Sequence, residues 1–547
     1  MTHRQVLAAL SGLLLAMFVS MIATTVVSTS LPVIIPELGG DQAVYTWIIS
    51  ATLLTTAIST PIWGKLADLA NRKLLMQLAL VLFVVATAAC GFAQEPGTLI
   101  AFRAVQGLGG GGLAALSQVL MADIISPRER GKYMGLFSIV MAIATIGGPL
   151  LGGFITDVIG WRWNFFVSIP FAVAALILLQ KTLRIEQTAR RSVSIDYLGI
   201  VLLSASVSLL LIWITGAGHA YEWWSIETLL MTGGSALAAI AFVLVELRAK
   251  EPLIPLRLFR DRTFTLSVIA SLATGAALFG GSVYLAQYMQ LARGATPTQA
   301  GLMTLPMIAG MLLTSTGVGM LITRFGRWKG WLIAGSVLLT AGTALLATIS
   351  YDTDFIVVSI AMLLMGAGIG ITMQNLTLIV QNTANPREIG VTTAAVTFFR
   401  SIAGTASVAA MGAVVASVVT NLFHSEQARL QTAIEALGEK GPEVAASLAS
   451  GVLPEVRLLP LGVRVIVEDF YAQGISLAFL ITVPLAIIGI VAILFLPNIP
   501  LGRMTTSEKA EAEVAMVGEP GLSPATGAIR TQDADAATRP EEPPHER

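Results

Sequence analysis

The sequence predicts an all-α polytopic membrane protein: two six-helix pseudo-repeat bundles plus two inserted helices, fourteen transmembrane helices in all. Three observations predict it. Apolar runs of about 20 residues recur from end to end, each long enough to cross a hydrocarbon core about 30 Å thick. Lys and Arg gather in alternate loops. Several segments recur at a nearly constant offset. A soluble chain of 547 residues would alternate polar and apolar faces, and this one, 55% hydrophobic and 12% charged, mostly does not.

Spans are expected at about 8–31, 44–64, 74–93, 98–122, 133–155, 163–181, 196–216, 226–246, 263–286, 297–322, 330–350, 355–379, 391–419 and 474–496. The opening MTHR followed by VLAALSGLLLAMF imitates a signal peptide. Its apolar run continues past a normal h-region with no small-x-small cleavage site close behind, so it reads as a retained first helix. An even number of spans puts both termini on one side. With that side cytoplasmic, the short cytoplasmic segments before residue 390 hold 20 Lys/Arg and the short external loops hold two, Arg162 and Arg293. The opposite orientation violates the positive-inside rule at nearly every loop. The expected location is a membrane crossed many times, with both termini cytoplasmic.

Two regions fall outside the spans. Residues 420–473 contain HSEQARLQTAIEALGEKG and LPEVRLLPLGVRVIVEDF, whose helical spacing suggests external amphipathic pieces resting on the membrane or the protein. Residues 500–547, rich in Ala, Glu, Pro, Thr and Gly, are expected to be a disordered cytoplasmic tail.

The composition also excludes classes. Net charge is zero, which gives nucleic-acid binding no electrostatic support. The single cysteine, Cys90, rules out internal disulfides and thiolate metal sites. There is no Walker A loop, no HExxH and no nucleophile elbow. No metal and no enzyme chemistry is expected, and no ATP site is present to supply energy.

The repeats divide the chain. GKLADLANRK (64–73) aligns with GMLITRFGRW (319–328) at an offset of 255, and PRERG (127–131) with PREIG (386–390) at 259. At that second offset Gly107, Gly109 and Gly111 fall on Gly366, Gly368 and Gly370. The expected organisation is an N-terminal bundle at 1–190, an inserted helix pair at 191–255, a C-terminal bundle at 256–499 and the tail. Parallel repeats of this kind place a binding site at the interface of the halves.

GKLADLANRK reads as a tight cytoplasmic turn between helices two and three. Gly64 lets a neighbouring helix approach closely. Asp68 is a carboxylate at the membrane surface, near a helix N-terminus or a basic partner, worth roughly 0.5–2 kcal/mol. Lys65, Arg72 and Lys73 anchor the loop, and Arg130 in the next cytoplasmic loop is the candidate partner. The second copy has Thr323 at the Asp position, so such a latch is lopsided.

This loop resembles the cytoplasmic signature of the major facilitator superfamily. Three further stretches agree with it. FRAVQGLGGGG (102–112) resembles the fourth-helix motif, with Arg103, Gln106 and Gly107 in place. IGGPLLGG (146–153) resembles the fifth-helix motif of exporters, carried by Gly148, Pro149, Gly152 and Gly153. TVVSTSLP (25–32) resembles the first-helix motif of the fourteen-helix drug:proton antiporters, a branch that WRWNFFVSIP (161–170) and VTTAAVTFFRSIAG (391–404) also fit. The resemblance implies alternating access and proton-coupled export of amphipathic drugs or toxic compounds. It implies no cofactor beyond the proton gradient, a monomer, and a lipid bilayer, small amphipathic substrates and protons as partners. The alternative is a dedicated exporter of one lipid, siderophore, antibiotic or amino acid on the same fold.

Individual residues carry the chemistry. Arg103, a few residues inside helix four, needs a cavity or a partner, and the resemblance implies that its charge would repel or release a proton from a nearby acid. Arg400 lies about ten residues into helix thirteen, roughly 15 Å deep. The polar Thr24, Thr25, Gln374, Asn375 and Gln381, with Phe398, are candidates to line a cavity. The first-helix motif usually carries an Asp where this chain has Ala23. No Asp or Glu lies near mid-membrane. Asp41, Asp123 and Asp157 are therefore the candidate proton carriers, while Asp196 and Glu246 fall near cytoplasmic ends. Without that Asp, neutral or anionic substrates gain ground over cationic ones.

Overall fold

The computed structural model describes residues 3–502 except 39–41, 126–132, 184–195, 217–220, 223, 250–251, 296, 386–387, 439–440, 450–455, 457–458 and scattered positions between 134 and 157. Every regular element among them is helical. In chain order they are α1 (His3–Glu37), α2 (Gln42–Leu69), α3 (Arg72–Gly91), α4 (Pro96–Ile124), α5 (Trp163–Phe166), α6 (Ser168–Thr182), α7 (Tyr197–Gly216), α8 (Ile226–Glu246), α9 (Arg262–Gln287) with a π-helical turn (Tyr288–Ala292), α10 (Pro297–Met303), α11 (Leu305–Phe325), α12 (Lys329–Leu346), α13 (Phe355–Thr383), α14 (Ile389–Ser425), α15 (Gln427–Glu435), α16 (Gly441–Ala449), α17 (Leu461–Leu480) and α18 (Val483–Phe495).

Twelve segments among the described residues are long and apolar enough to cross a membrane, and they fall on twelve of the fourteen expected spans. A thirteenth expected span, 44–64, lies inside α2. The fourteenth, 133–155, lies mostly outside the described residues.

Packing follows from where the small residues sit. α4 packs on α2 and α3, and α1 on α6. α13 packs on α11 and α12, and α9 on α14. An apolar core built on Leu10, Leu80, Phe83, Leu116 and Leu179 fills the first group, and one built on Leu285, Met362, Val467 and Phe470 fills much of the second. The inserted helices α7 and α8 pair with each other, and α7 also touches α2 and α14. A third cluster, with Ile58, Leu203, Phe242, Leu253, Phe264 and Phe398, joins these elements.

The last span starts earlier than expected. The expectation places it from 474, with LGVRVIVEDF before it in a piece resting on the membrane or the protein. That stretch is instead helix α17 from Leu461, with Val463, Ile466, Val467, Phe470 and Tyr471 buried against α14 and the π-helical turn. Arg464 and Glu468 pair at 2.7 Å, so the helix packs despite its charges. Among the described residues, α15 and α16 are the short helices between the last two spans.

Candidate functional site

The Lys/Arg-rich loops mark one end of the bundle, the basic end. There α2 stops at Leu69 and α3 starts at Arg72. Asn71 closes the turn by capping α3, its side chain accepting the Leu74 amide at 3.2 Å. This tight turn fixes Asp68 against the start of α14. Asp68 Oδ1 accepts the Gly390 amide and Oδ2 the Val391 amide, both at 2.8 Å. A helix start carries unsatisfied N–H groups and the positive end of the macrodipole, so a carboxylate is the natural partner.

Arg72 ties the same carboxylate to a second one. Its Nη2 lies 3.2 Å from Asp68 Oδ1 and its Nη1 2.5 Å from Asp123 Oδ1, while Nε donates to the Ala67 carbonyl at 2.8 Å. The Asp68 and Asp123 side chains are 6% and 9% exposed. Gly64 explains how α14 comes so close: a Cβ there would stand 2.1 Å from Ala394 Cβ. The expected close approach at Gly64 and the helix-terminus partner of Asp68 are both present. The expected partner Arg130 lies outside the described residues. Lys73 points away, donating to the Gln180 carbonyl at 2.8 Å.

A polar layer lies further along the same seam. Gln118 Nε2 on α4 donates to Gln374 Oε1 on α13 at 3.4 Å. Gln381 Nε2 donates to the Gln118 carbonyl at 3.4 Å and to Thr393 Oγ1 at 3.0 Å. Sequence reasoning missed Gln118. Its one signal was an amide inside an apolar run, a weak one.

Arg103 is 2% exposed on α4. Its Nη1 donates to Gln106 Oε1 at 2.8 Å and its Nε to the Ile48 carbonyl at 3.3 Å; Gln106 Nε2 donates onward to Thr87 Oγ1 at 2.7 Å. Its partners among the described residues are neutral. Asp41 and Asp157 lie outside the described residues, and Asp123 sits at the basic end rather than beside Arg103. Arg400, 6% exposed, donates to the Met373 carbonyl at 3.2 Å and towards Thr397 Oγ1 at 3.5 Å.

The other expected cavity residues are packed. Asn375 donates to the Ile371 carbonyl at 2.7 Å, and Phe398, 2% exposed, belongs to the apolar cluster around α7. Thr24 and Thr25 donate to the carbonyls of Ser20 and Met21 one turn back, at 2.9 and 3.0 Å. Of the exporter motif, Gly148 and Gly152 press on α1: a Cβ would lie 2.1 Å from Thr25 Oγ1 and 2.6 Å from the Val26 carbonyl respectively. Pro149 and Gly153 lie outside the described residues. Gly107 presses α4 on α2, where its Cβ would meet Thr55 Oγ1 at 2.0 Å.

Comparison with known proteins agrees with this architecture. Residues 13–408 match the family model of the Major Facilitator Superfamily. An uncharacterized MFS-type transporter of Mycobacterium tuberculosis is 32% identical over 493 residues, covering 90% of this chain and 69% of that protein. The multidrug transporter protein MdtP of Bacillus subtilis is 34% identical over 414 residues, covering 76% of each. Among solved structures, the human organic anion transporter MFSD10 superposes with a TM-score of 0.55 at 14% identity, covering 88% of this chain and 99% of that one, a likeness of fold. Long apolar helices, a buried carboxylate bonded to the start of α14 and the family match lead to one statement: this multi-pass membrane chain belongs to the Major Facilitator Superfamily, a family of transporters rather than enzymes.

Proposed function

We propose that this chain is a proton-coupled exporter of small amphipathic compounds, working by alternating access between halves at 1–190 and 256–499 in a bacterial plasma membrane. On this reading the basic end and both termini are cytoplasmic. The observation that carries it is the contact of Asp68 with the N-terminus of α14, made across the seam of the two halves. It closes the cytoplasmic end. Held by a helix dipole and Arg72, it is worth about 1–2 kcal/mol. About 1.4 kcal/mol changes an equilibrium tenfold, enough to bias two packings without locking one. The Gln118–Gln374–Gln381 layer would part in the same step, and Arg103 and Arg400 supply buried charge near the path. The names of the relatives, a multidrug transporter among them, support drug efflux as the substrate class.

The test is dye accumulation in inverted vesicles with and without an imposed pH gradient. Two or more unrelated dyes should accumulate only with the gradient, and Asp68→Asn should lower the rate at least tenfold at equal expression. Accumulation indifferent to the gradient would end the proton-coupled reading. Wild-type rates with Asp68→Asn would end the lock.

A further inference from the structure

Two carboxylates outside the Asp68 lock meet at the foot of the inserted helix pair. Asp196 precedes α7, and its Oδ1 accepts the Gly199 amide at 2.8 Å. Glu246 ends α8, is 4% exposed, and its Oε1 accepts the Leu253 amide at 3.1 Å. Asp196 Oδ2 and Glu246 Oε1 lie 2.5 and 3.0 Å from a single point, the position a Cβ on Gly199 would occupy. Asp196 Oδ2 and Glu246 Oε2 are both buried, and among the described residues neither makes a hydrogen bond, the Ile254 amide lying near the Glu246 carboxyl beside that of Leu253.

An ionised carboxylate only accepts hydrogen bonds. With both groups ionised, two like charges would face each other in a buried place and two acceptors would stay empty. Each empty buried acceptor costs about 1–3 kcal/mol, more for a charged group. Among the described residues, Lys65 on α2 is a cation whose field reaches Glu246, and the same ammonium acts on Asp68. Its single charge cannot neutralise all three carboxylates. One added proton removes the difficulty at Glu246: the carboxyl donates its O–H to the neighbouring carboxylate, one charge disappears, and both empty oxygens gain a partner. The two distances keep Asp196 Oδ2 and Glu246 Oε1 within 5.5 Å of each other (2.5 plus 3.0), a range in which like charges favour uptake of a proton. A hard metal ion would want six or more oxygen ligands, and no group of three or more His, Cys, Asp or Glu able to hold one occurs among the described residues.

We propose that Glu246 and Asp196 form a one-proton site, with the proton on Glu246 Oε2 and hydrogen-bonded to Asp196 Oδ2. Uptake converts the Glu246 carboxylate to a carboxylic acid and release reverses it, with no other bond changed. The site's place gives it a use that rests on the efflux reading above. α7 touches both α2 and α14, the two helices that Asp68 joins, so a change of charge at Glu246 is felt by Lys65 beside the lock.

The experiment is an infrared pH titration of the purified full chain in lipid nanodiscs. A protonated-carboxyl C=O band should be present at pH 7, absent in Glu246→Gln and retained in Asp123→Asn. A wild-type spectrum without that band at neutral pH, as a bridging water or a bound cation would give, overturns the site. So does a band that survives Glu246→Gln. Should Glu246→Gln fail to fold, Asp196→Asn decides. Removing the neighbouring charge should let Glu246 ionise at least one pH unit lower, and an unmoved midpoint overturns the pairing. In vesicles, Glu246→Gln should keep dye counterflow and lose at least tenfold of gradient-driven accumulation; full accumulation would show that the proton at this site is not the coupling one. The infrared result stands apart from transport, so a wild-type chain that moves no dye would fail the efflux reading and leave the proton site intact.

Discussion

α4 and α13 carry the same glycines and use them alike, yet they hold opposite chemistry beside them. A Cβ on Gly107 would meet Thr55 Oγ1 on α2 at 2.0 Å, and one on Gly366 the Met307 carbonyl on α11, also at 2.0 Å. Gly109 and Gly368 press on backbone amides of α3 and α12, with Phe83 N at 2.6 Å and Leu339 N at 2.4 Å. At the same offset, however, Arg103 becomes Met362 and Gln106 becomes Met365, all four buried. Thr87 receives Gln106, whereas Thr343 on α12 donates only to its own Leu339 carbonyl at 2.8 Å. Packing is duplicated and polarity is not. Buried methionine fills the second slot, so the shared helix packing is compatible with an apolar side chain there. An Arg deep in a membrane bundle costs about 2.5–3.5 kcal/mol on insertion scales, and that cost points to use.

Mutations can break this comparison or sharpen it. The largest effect belongs to the shared packing. Gly109→Leu and Gly368→Leu should each cut the yield of monodisperse protein more than tenfold, read by fluorescence-detected size exclusion. Tolerance of one and not the other would show that the two helices are not packed alike. Next come the slots. Arg103→Met should leave most of the folded yield but lower dye efflux at least tenfold, while Met362→Leu should keep efflux within twofold. An Arg103→Met protein pumping at the wild-type rate would make the Arg mere filler.

Smaller still is the relay behind it. Gln106→Leu removes the acceptor of Arg103 and should cost about 1–3 kcal/mol. Met365→Leu, close in volume, should cost less than about 1.5 kcal/mol. Thermal unfolding of the two variants would rank them. The smallest effect lies at the far end. Arg162 donates to Glu37 at 2.9 Å, and this bond, helped by Trp161, holds the Glu37 carboxyl below the usual carboxylate range. A lowered value adds stability above the ordinary carboxylate pKa, lost as pH falls through the folded one. The pair is well exposed, so Glu37→Gln should cost about 1 kcal/mol or less at pH 7. That difference should vanish in acid, and a gap in melting temperature unchanged at low pH would contradict it.

Much of this was legible in the sequence for a plain reason. Spans of about 20 apolar residues and glycines at matched offsets are local signals, and bilayer thickness and close packing leave few ways to satisfy them. Gly64 and Asp68 were legible because a small residue and a lone carboxylate at a helix end each permit few partners. Which helix start Asp68 would reach was not, because Gly390 lies 322 residues away. Gln118 escaped because a single amide in an apolar run looks the same whether it bonds its own helix or the next. The foot of the inserted pair escaped too. Asp196 and Glu246 read as ordinary end charges, and only folding α7 back on α8 shows that they face each other.

α14 runs for 37 residues, about 55 Å, where a bilayer core needs only about 30 Å. Asp68 grips its first turn, and its far end leads into α15. Such a rod is a lever with its short arm in the lock. Tilting it by about ten degrees swings the distant tip by about 10 Å. On the proposed alternating access, a fluorophore near Ser425 would work as a pointer, amplifying on one face of the membrane any small parting of Asp68 from α14 on the other.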